Sequence, residues 1–181
     1  MLTLTRESNT ITREATDLTH QSLALAHPPK LAAVGFHIHG GFLSAFETGK
    51  TLGGSFSLIN VGRTETNVAQ IFVTLIFAQR LPEMRPYDGT AALWTEINKT
   101  LRPGESISYQ FQKDDGAITE QEHLEMIGQL DRSRFVFVFG SLKYTDSLNP
   151  PTHRQMTFCR RFDPDRRRFE VCDDPDYQGE Y

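Results

Sequence analysis

From Leu31 to Cys172 the bulky residues of this chain recur at every second position, and that period constrains its fold more than any other feature. Side chains two apart on an extended strand share a face, whereas a helix needs apolar residues three and four apart. Within Asn67–Gln79, Ile71, Val73, Leu75 and Phe77 take one face, and Phe72, Thr74 and Ile76 the other. Both faces are partly apolar, so this segment is expected to be a central strand. Arg134–Tyr144 repeats the arrangement, with Phe135, Phe137 and Phe139 opposite Val136, Val138 and Leu142. Shorter runs at Leu31–His39, Gly53–Val61, Ser106–Gln112, His153–Phe162 and Arg168–Cys172 are bounded by turn residues such as Gly40-Gly41, Pro103-Gly104 and Asp163-Pro164-Asp165. Leu81–Thr90 reads as a loop, and Ala91–Asn98 shows no clear period. The spacing predicts a mainly β chain: an antiparallel Ig-like β-sandwich with an N-terminal helix and one short inserted helix.

Two segments depart from the period of two. Ile11, Ala15, Leu18, Ser22 and Leu25 line one stripe of a helix over Thr3–Ala26. Pro28 and Pro29 end it, because the residue before a proline is pushed out of the α region. Further on, Thr119 and Glu122 have the spacing of a capping box. They open a short helix whose apolar side is expected to be Leu124, Ile127 and Leu130. The chain thus divides into a helical stalk over residues 1–29, a β-sandwich domain over 30–172 and an acidic tail over 173–181. The tail is expected to fray.

Composition excludes several classes of function. Lys and Arg number 19 against 23 Asp and Glu, a net charge of −4, which argues against a nucleic-acid binder that must release counterions over a broad basic surface. Hydrophobic residues make up only 38% of the 181, but 13 of them are Phe, and large rings fill a core with few residues. No apolar run approaches the roughly 18 residues of a membrane span. No basic segment followed by an apolar stretch marks a secretory signal. Two cysteines, Cys159 and Cys172, are too few for a disulfide framework. They flank a short turn, and either meet across a hairpin or stand as unpaired thiols.

The residues that could carry chemistry are few. His37 and His39 lie two apart on a strand, so both imidazoles can reach one metal ion, but a site needs three or four ligands. His20, His27, His123 and His153 are scattered without ligand spacing, so the competing reading is the solvent face of an edge strand. Arg160, Arg161, Arg166, Arg167 and Arg168 flank a hairpin tip, where guanidinium forks suit phosphate, an acidic peptide or anionic lipid headgroups. Against that, Asp163, Asp165, Asp173, Asp174, Asp176 and Glu180 are close enough to neutralise them. Cys159 sits in an alternating strand, where a thiol behaves as a small hydrophobe. No nucleophile elbow and no Gly-rich phosphate loop is present. The leading expectation is therefore a non-enzymatic interaction module with no cofactor and no catalytic or metal residues, binding a protein partner.

Several segments in order resemble a known group. Gln21–Leu31 closes a polar helix into the first strand, and Asn60-Val61-Gly62 ends a strand. Phe139–Asp146 (FGSLKYTD) precedes Phe158–Pro164 (FCRRFDP), and Asp173–Tyr177 (DDPDY) lies in the tail. Together they resemble uncharacterised bacterial proteins with an N-terminal transmembrane helix, a charged helical stalk and a β-sandwich domain. The resemblance implies an Ig-like fold and makes Thr3–Ala26 the stalk. It carries over no catalytic residue. The membrane tether of that pattern is missing from this chain, which suggests a shortened chain or a soluble relative, and the expected place is the cytoplasm or the cytoplasmic face of the inner membrane.

Overall fold

In the computed structural model, residues 29–180 are described apart from 84, 89–91, 132, 147–149 and 175–176. The helix expected over Thr3–Ala26 lies outside the described residues. Where the sequence alternates, strands form: β1 (Leu31–Ile38), β2 (Gly53–Asn60), β3 (Thr66–Ala78), β4 (Thr95–Leu101), β5 (Ser106–Gln112), β6 (Phe135–Asp146), β7 (His153–Asp163), β8 (Arg168–Val171) and β9 (Gly179–Glu180). Two short helices, α1 (Phe42–Ala45) and α2 (Glu120–Met126), interrupt them. The strands make two antiparallel sheets. The smaller runs β1-β2-β5, and the larger runs β4-β3-β6-β7-β8 with β9 added beside β7.

The two faces read from β3 and β6 are the faces observed. Ile71, Val73, Leu75 and Phe77 join Val136, Val138 and Leu142 in a core shared with Phe56, Leu58 and Phe111 of the smaller sheet. Phe72, Ile76, Phe135, Phe137 and Phe139 make a second cluster on the outer side of the larger sheet. Three aromatic residues from outside the long strands pack against that outer face: Tyr87, Trp94 and Tyr177. Tyr177 is only 2% exposed, its hydroxyl donates to the Pro82 carbonyl at 2.6 Å, and β9 pairs with Met156 and Thr157. The tail therefore does not fray over Tyr177–Glu180. An aromatic ring supplies enough burial to hold an otherwise polar segment, and acidity alone was a poor guide.

Ala91–Asn98 contributes the start of β4, an edge strand whose residues are mostly exposed, with only Leu101 buried. An edge exposed on both sides has no apolar period to display. Its register with β3 also slips between Val68 and Gln70, where Asn98 takes a positive φ of 48°.

Gly35 in β1 has a larger effect. Its φ of 65° lies in the left-handed region, and the register with β2 slips between Val34 and His37. A bulge reverses the in–out parity of the strand beyond it. Leu31 and Ala33 point into the core before the bulge. After it, Phe36 and Ile38 pack inward, and His37 and His39 face solvent.

Helix α2 has the expected cap, with Thr119 Oγ1 accepting from the Glu122 amide at 3.2 Å and Glu122 Oε2 from the Thr119 amide at 2.9 Å. Its buried side differs from the one expected. Glu122, Glu125 and Met126 are buried, while Leu124 and Ile127 are half-buried and Leu130 is exposed. The carboxylates point inward because cations meet them there. Lys113 Nζ lies 3.5 Å from Glu122 Oε2 and 2.6 Å from Asp115 Oδ1, and Arg134 Nε lies 3.3 Å from Glu125 Oε2. A helical stripe read from apolar residues alone misses a face whose burial is satisfied by ion pairs.

Two outcomes follow. At Gly140, in β6, an added Cβ would meet the Phe72 carbonyl and the Phe158 ring. Gly140→Ala should lower unfolding stability by about 1–3 kcal/mol in urea with an unchanged m-value. Burial alone would raise the Glu125 carboxyl, but hydrogen bonds from Gln121, Arg134 and Ser133 outweigh it and hold the group below its usual 4.5. A depressed folded value means the contribution is complete above 4.5 and is lost as pH falls through the folded value. Urea unfolding at pH 6 and pH 3.5 (roughly a unit or more either side of 4.5) should show a smaller acid loss for Glu125→Gln than for wild type. Equal losses would place the acid lability elsewhere.

Candidate ligand pocket at the arginine hairpin

The interior rings run outward to one end of the molecule. Phe36, brought inward by the Gly35 bulge, lies 6.0 Å from Phe169 of β8. Phe169 meets Phe162 of β7 edge-on at 5.2 Å, and Phe162 stacks on Phe42 of α1 at 6.1 Å. After β1 the chain turns at Gly40, with a φ of 80°, and the following helix anchors through buried Phe46. Phe36, Phe42, Phe162 and Phe169 thereby wall a cavity of about 230 Å³, with His37, Arg167 and Arg168 also lining it. Two features that the sequence leaves separate, His37 of the histidine pair and Arg167 and Arg168 of the hairpin, meet at this cavity.

The five arginines do not act together. Alternation along β7 sends Arg160 and Arg161 to opposite faces. Arg160 donates to the Cys159 carbonyl at 2.7 Å and to the Ala33 carbonyl of β1 at 3.1 Å, and its guanidinium lies 5.3 Å from the Phe36 ring. It ties the two sheets together, and burial lowers its affinity for its proton. Arg161 lies over the Phe135 ring at 5.3 Å, on the outer face. Arg166 and Arg168 converge on Glu170 Oε1 at 2.8 and 3.0 Å, and hydrogen bonds from both arginines hold that carboxyl below its ordinary range. Asp163 accepts from the Asp165 and Arg166 amides and shapes the turn.

Glu170 was missed among the candidate neutralising acids, although its two-residue spacing from Arg168 on a strand put both on one face. Arg167 is different. It stands 5.4 Å from the Phe42 ring and has no carboxylate partner among the described residues. Its φ of 53° is a conformation that favours glycine, so the hairpin holds a strained residue where its cation lines the cavity.

His37 and His39 share the solvent side of an edge strand. Their rings are 5.6 Å apart, and both Nε2 atoms reach Ser55 Oγ, at 2.9 and 3.2 Å. The Gly35 carbonyl accepts from His37 Nδ1 at 3.2 Å, so that nitrogen carries a proton. Ser55 is a partner without a sequence signal, since the register that places it opposite His37 depends on the bulge. Among the described residues no group of three or more His, Cys, Asp or Glu comes together to hold a metal. Ser55 meets the distance expected of a nucleophile beside a base, but the base's other nitrogen faces a backbone carbonyl and not a carboxylate.

No family model matches this chain, and no curated protein matches it. The geometry of the site is therefore the basis for a functional reading.

The strain at Arg167 is measurable by comparing two truncations. Arg167→Ala and Arg167→Gly both remove the cation–ring contact, but only alanine keeps a Cβ at positive φ. The glycine variant should be more stable than the alanine variant by about 1 kcal/mol in denaturant unfolding. Equal stabilities would mean that the turn relaxes without cost.

Proposed function

We propose that this protein is a non-enzymatic interaction module that captures a partner protein through the aromatic pocket. The recognised element is a bulky ring next to a carboxylate on an exposed segment of that partner. The observation that supports this most strongly is Arg167: a cation without a carboxylate partner among the described residues, lining a cavity with aromatic walls. The cavity, at about 230 Å³, exceeds the roughly 150 Å³ that holds a benzene ring, which leaves room for an attached acid. A guanidinium fork matches a carboxylate in two places, while the phenylalanine walls favour a ring. Beside the pocket Leu43 is 67% exposed and extends the apolar surface that a partner chain would cover.

In this reading the two sheets are an Ig-like sandwich carried on the helical stalk of residues 1–29, at the cytoplasmic face of a membrane or free in the cytoplasm. β1 supports that presentation, because it starts at the stalk junction and ends at the pocket. Its eight residues, at about 3.3 Å each, put the pocket on the order of 26 Å from the junction. A ligand site at that end would face away from a tether.

The test is an NMR titration of the full chain with short peptides carrying aspartate followed by phenylalanine. Shifts should concentrate at Phe36, Phe42, Arg167 and Phe169 and weaken with salt, since a charge pair is screened. Peptides with asparagine for aspartate or alanine for phenylalanine should bind at least about tenfold more weakly, as should Arg167→Ala with the parent peptide, a cost of roughly 1.4 kcal/mol. Equal binding by all peptides, or by Arg167→Ala, would refute the reading. Binding to anionic vesicles in preference to every peptide would move it to a lipid surface.

A further inference from the structure

We propose that Cys159 and Cys172 are a redox-active dithiol: they exchange with a low-molecular-weight disulfide such as oxidised glutathione and close into an intrachain disulfide that fastens β8 to β7. The pairing of Arg160 with Val171 and Arg161 with Glu170, extended by one residue, sets the two cysteines directly opposite each other. Their sulfurs are 2.7 Å apart, and the Cys172 amide donates to the Cys159 carbonyl at 3.4 Å. Opposed residues of this kind in antiparallel strands have Cα atoms about 5.5 Å apart, inside the range a disulfide spans. Both cysteines are free thiols in this structure. The Gln178 carboxamide donates to both backbone carbonyls, at 3.1 Å to Cys159 and 2.8 Å to Cys172, and holds the two strands in register where the link would form.

The two thiols have different roles because their surroundings differ. Cys159 is completely buried and packs in the outer-face cluster with Phe139 and Tyr177, so an external disulfide cannot reach it first. Cys172 is half-buried at the end of an edge strand. A hydrogen bond from Cys159, with Arg161 and Arg160 nearby, holds the Cys172 thiol below its usual range, whereas the Cys159 thiol is pushed up. A thiolate in an electropositive, accessible place is the attacking member of such a pair.

The Cys172 thiol gives its proton to solvent, and the resulting thiolate attacks one sulfur of glutathione disulfide, forming a mixed disulfide and releasing one glutathione thiolate. That thiolate takes the Cys159 proton. The Cys159 sulfur then attacks the Cys172 sulfur, the S–S bond to glutathione breaks, and the second glutathione leaves as a thiolate that solvent protonates. The protein dithiol loses two electrons and one glutathione disulfide becomes two thiols.

The consequence is local. β8 has four residues and pairs with β7 alone, so its end is held against local opening by hydrogen bonds such as those of Gln178 and the Cys172 amide. A covalent link at that end suppresses the opening.

The experiment incubates the full chain with oxidised glutathione, quenches with acid, alkylates and measures intact and peptide masses. Wild type should lose two hydrogens (about 2 Da) and yield one cross-linked pair of peptides containing Cys159 and Cys172. Cys159→Ala should accumulate a glutathione adduct on Cys172, and Cys172→Ser should remain unmodified while folded. Amide exchange over Phe169–Cys172 should slow at least about threefold in the oxidised protein, as expected when opening is restrained. Two free thiols after full oxidation of a small dithiol control, a persistent glutathione adduct on wild type, or a disulfide between two chains would each overturn the proposal. Unchanged exchange in the oxidised protein would overturn the fastening of β8. Wild type and Cys172→Ser are sufficient for the decision should Cys159→Ala fail to fold.

Discussion

A group of ring contacts joins the two sheets, with Phe56 at its centre. Phe56 of β2 stacks on Phe36 of β1 at 4.7 Å and 5°, and meets Phe158 of the opposite sheet at 5.2 Å. Aromatic pairs contribute about 0.5–1.5 kcal/mol each beyond their area burial, so a chain low in aliphatic residues can still hold two sheets together. The absence of a side chain at Gly140 leaves room for the Phe158 ring, and Phe111 and Phe169 continue the stack edge to face at 6.0 Å. The ring series reaches the surface at Phe42. The pocket wall is thus the exposed end of the core and shares its rigidity, unlike a site built on loops alone.

Charge is distributed with the same economy. Glu170 takes two of the hairpin arginines, Arg160 is committed to backbone carbonyls, one of them across to the other sheet, and Arg161 lies over an outer ring. The cations on α2's side, Lys113 and Arg134, are taken up by Glu122, Glu125 and Asp115. What distinguishes Arg167 from its neighbours is a charge without a carboxylate partner among the described residues, in a backbone conformation the turn imposes.

The sequence makes the two-sheet, mainly β architecture legible because β3 and β6 are buried on both faces, and burial on both faces is what alternating phenylalanine and valine record. β4 and β9 were not legible, the first because an exposed edge has no apolar period and the second because two residues are too short to show one. The site was legible only in pieces. His37 and the arginines were visible as residue types, but their meeting depends on Gly35 reversing the parity of β1, and a single glycine in a strand gives no direction. The buried face of α2 escaped because it is built from carboxylates, which an apolar pattern excludes by construction. Tyr177 was visible as a ring within an acidic segment, and its acidic neighbours hid its destination.

The outer cover of the larger sheet has a temporal side. Phe72, Phe137 and Phe139 precede Tyr177 along the chain, so Tyr177, which packs against that cluster and donates to Pro82, is made after them. On a ribosome the inner core can assemble while this outer aromatic face is still incompletely sheltered. During that interval a strip of phenylalanine is open to other nascent chains and to holdase chaperones. Synthesis of the segment around Tyr177 is therefore also the moment at which this face is sealed, and a substitution that removes the Tyr177 ring would leave a protein that is folded inside but adhesive outside.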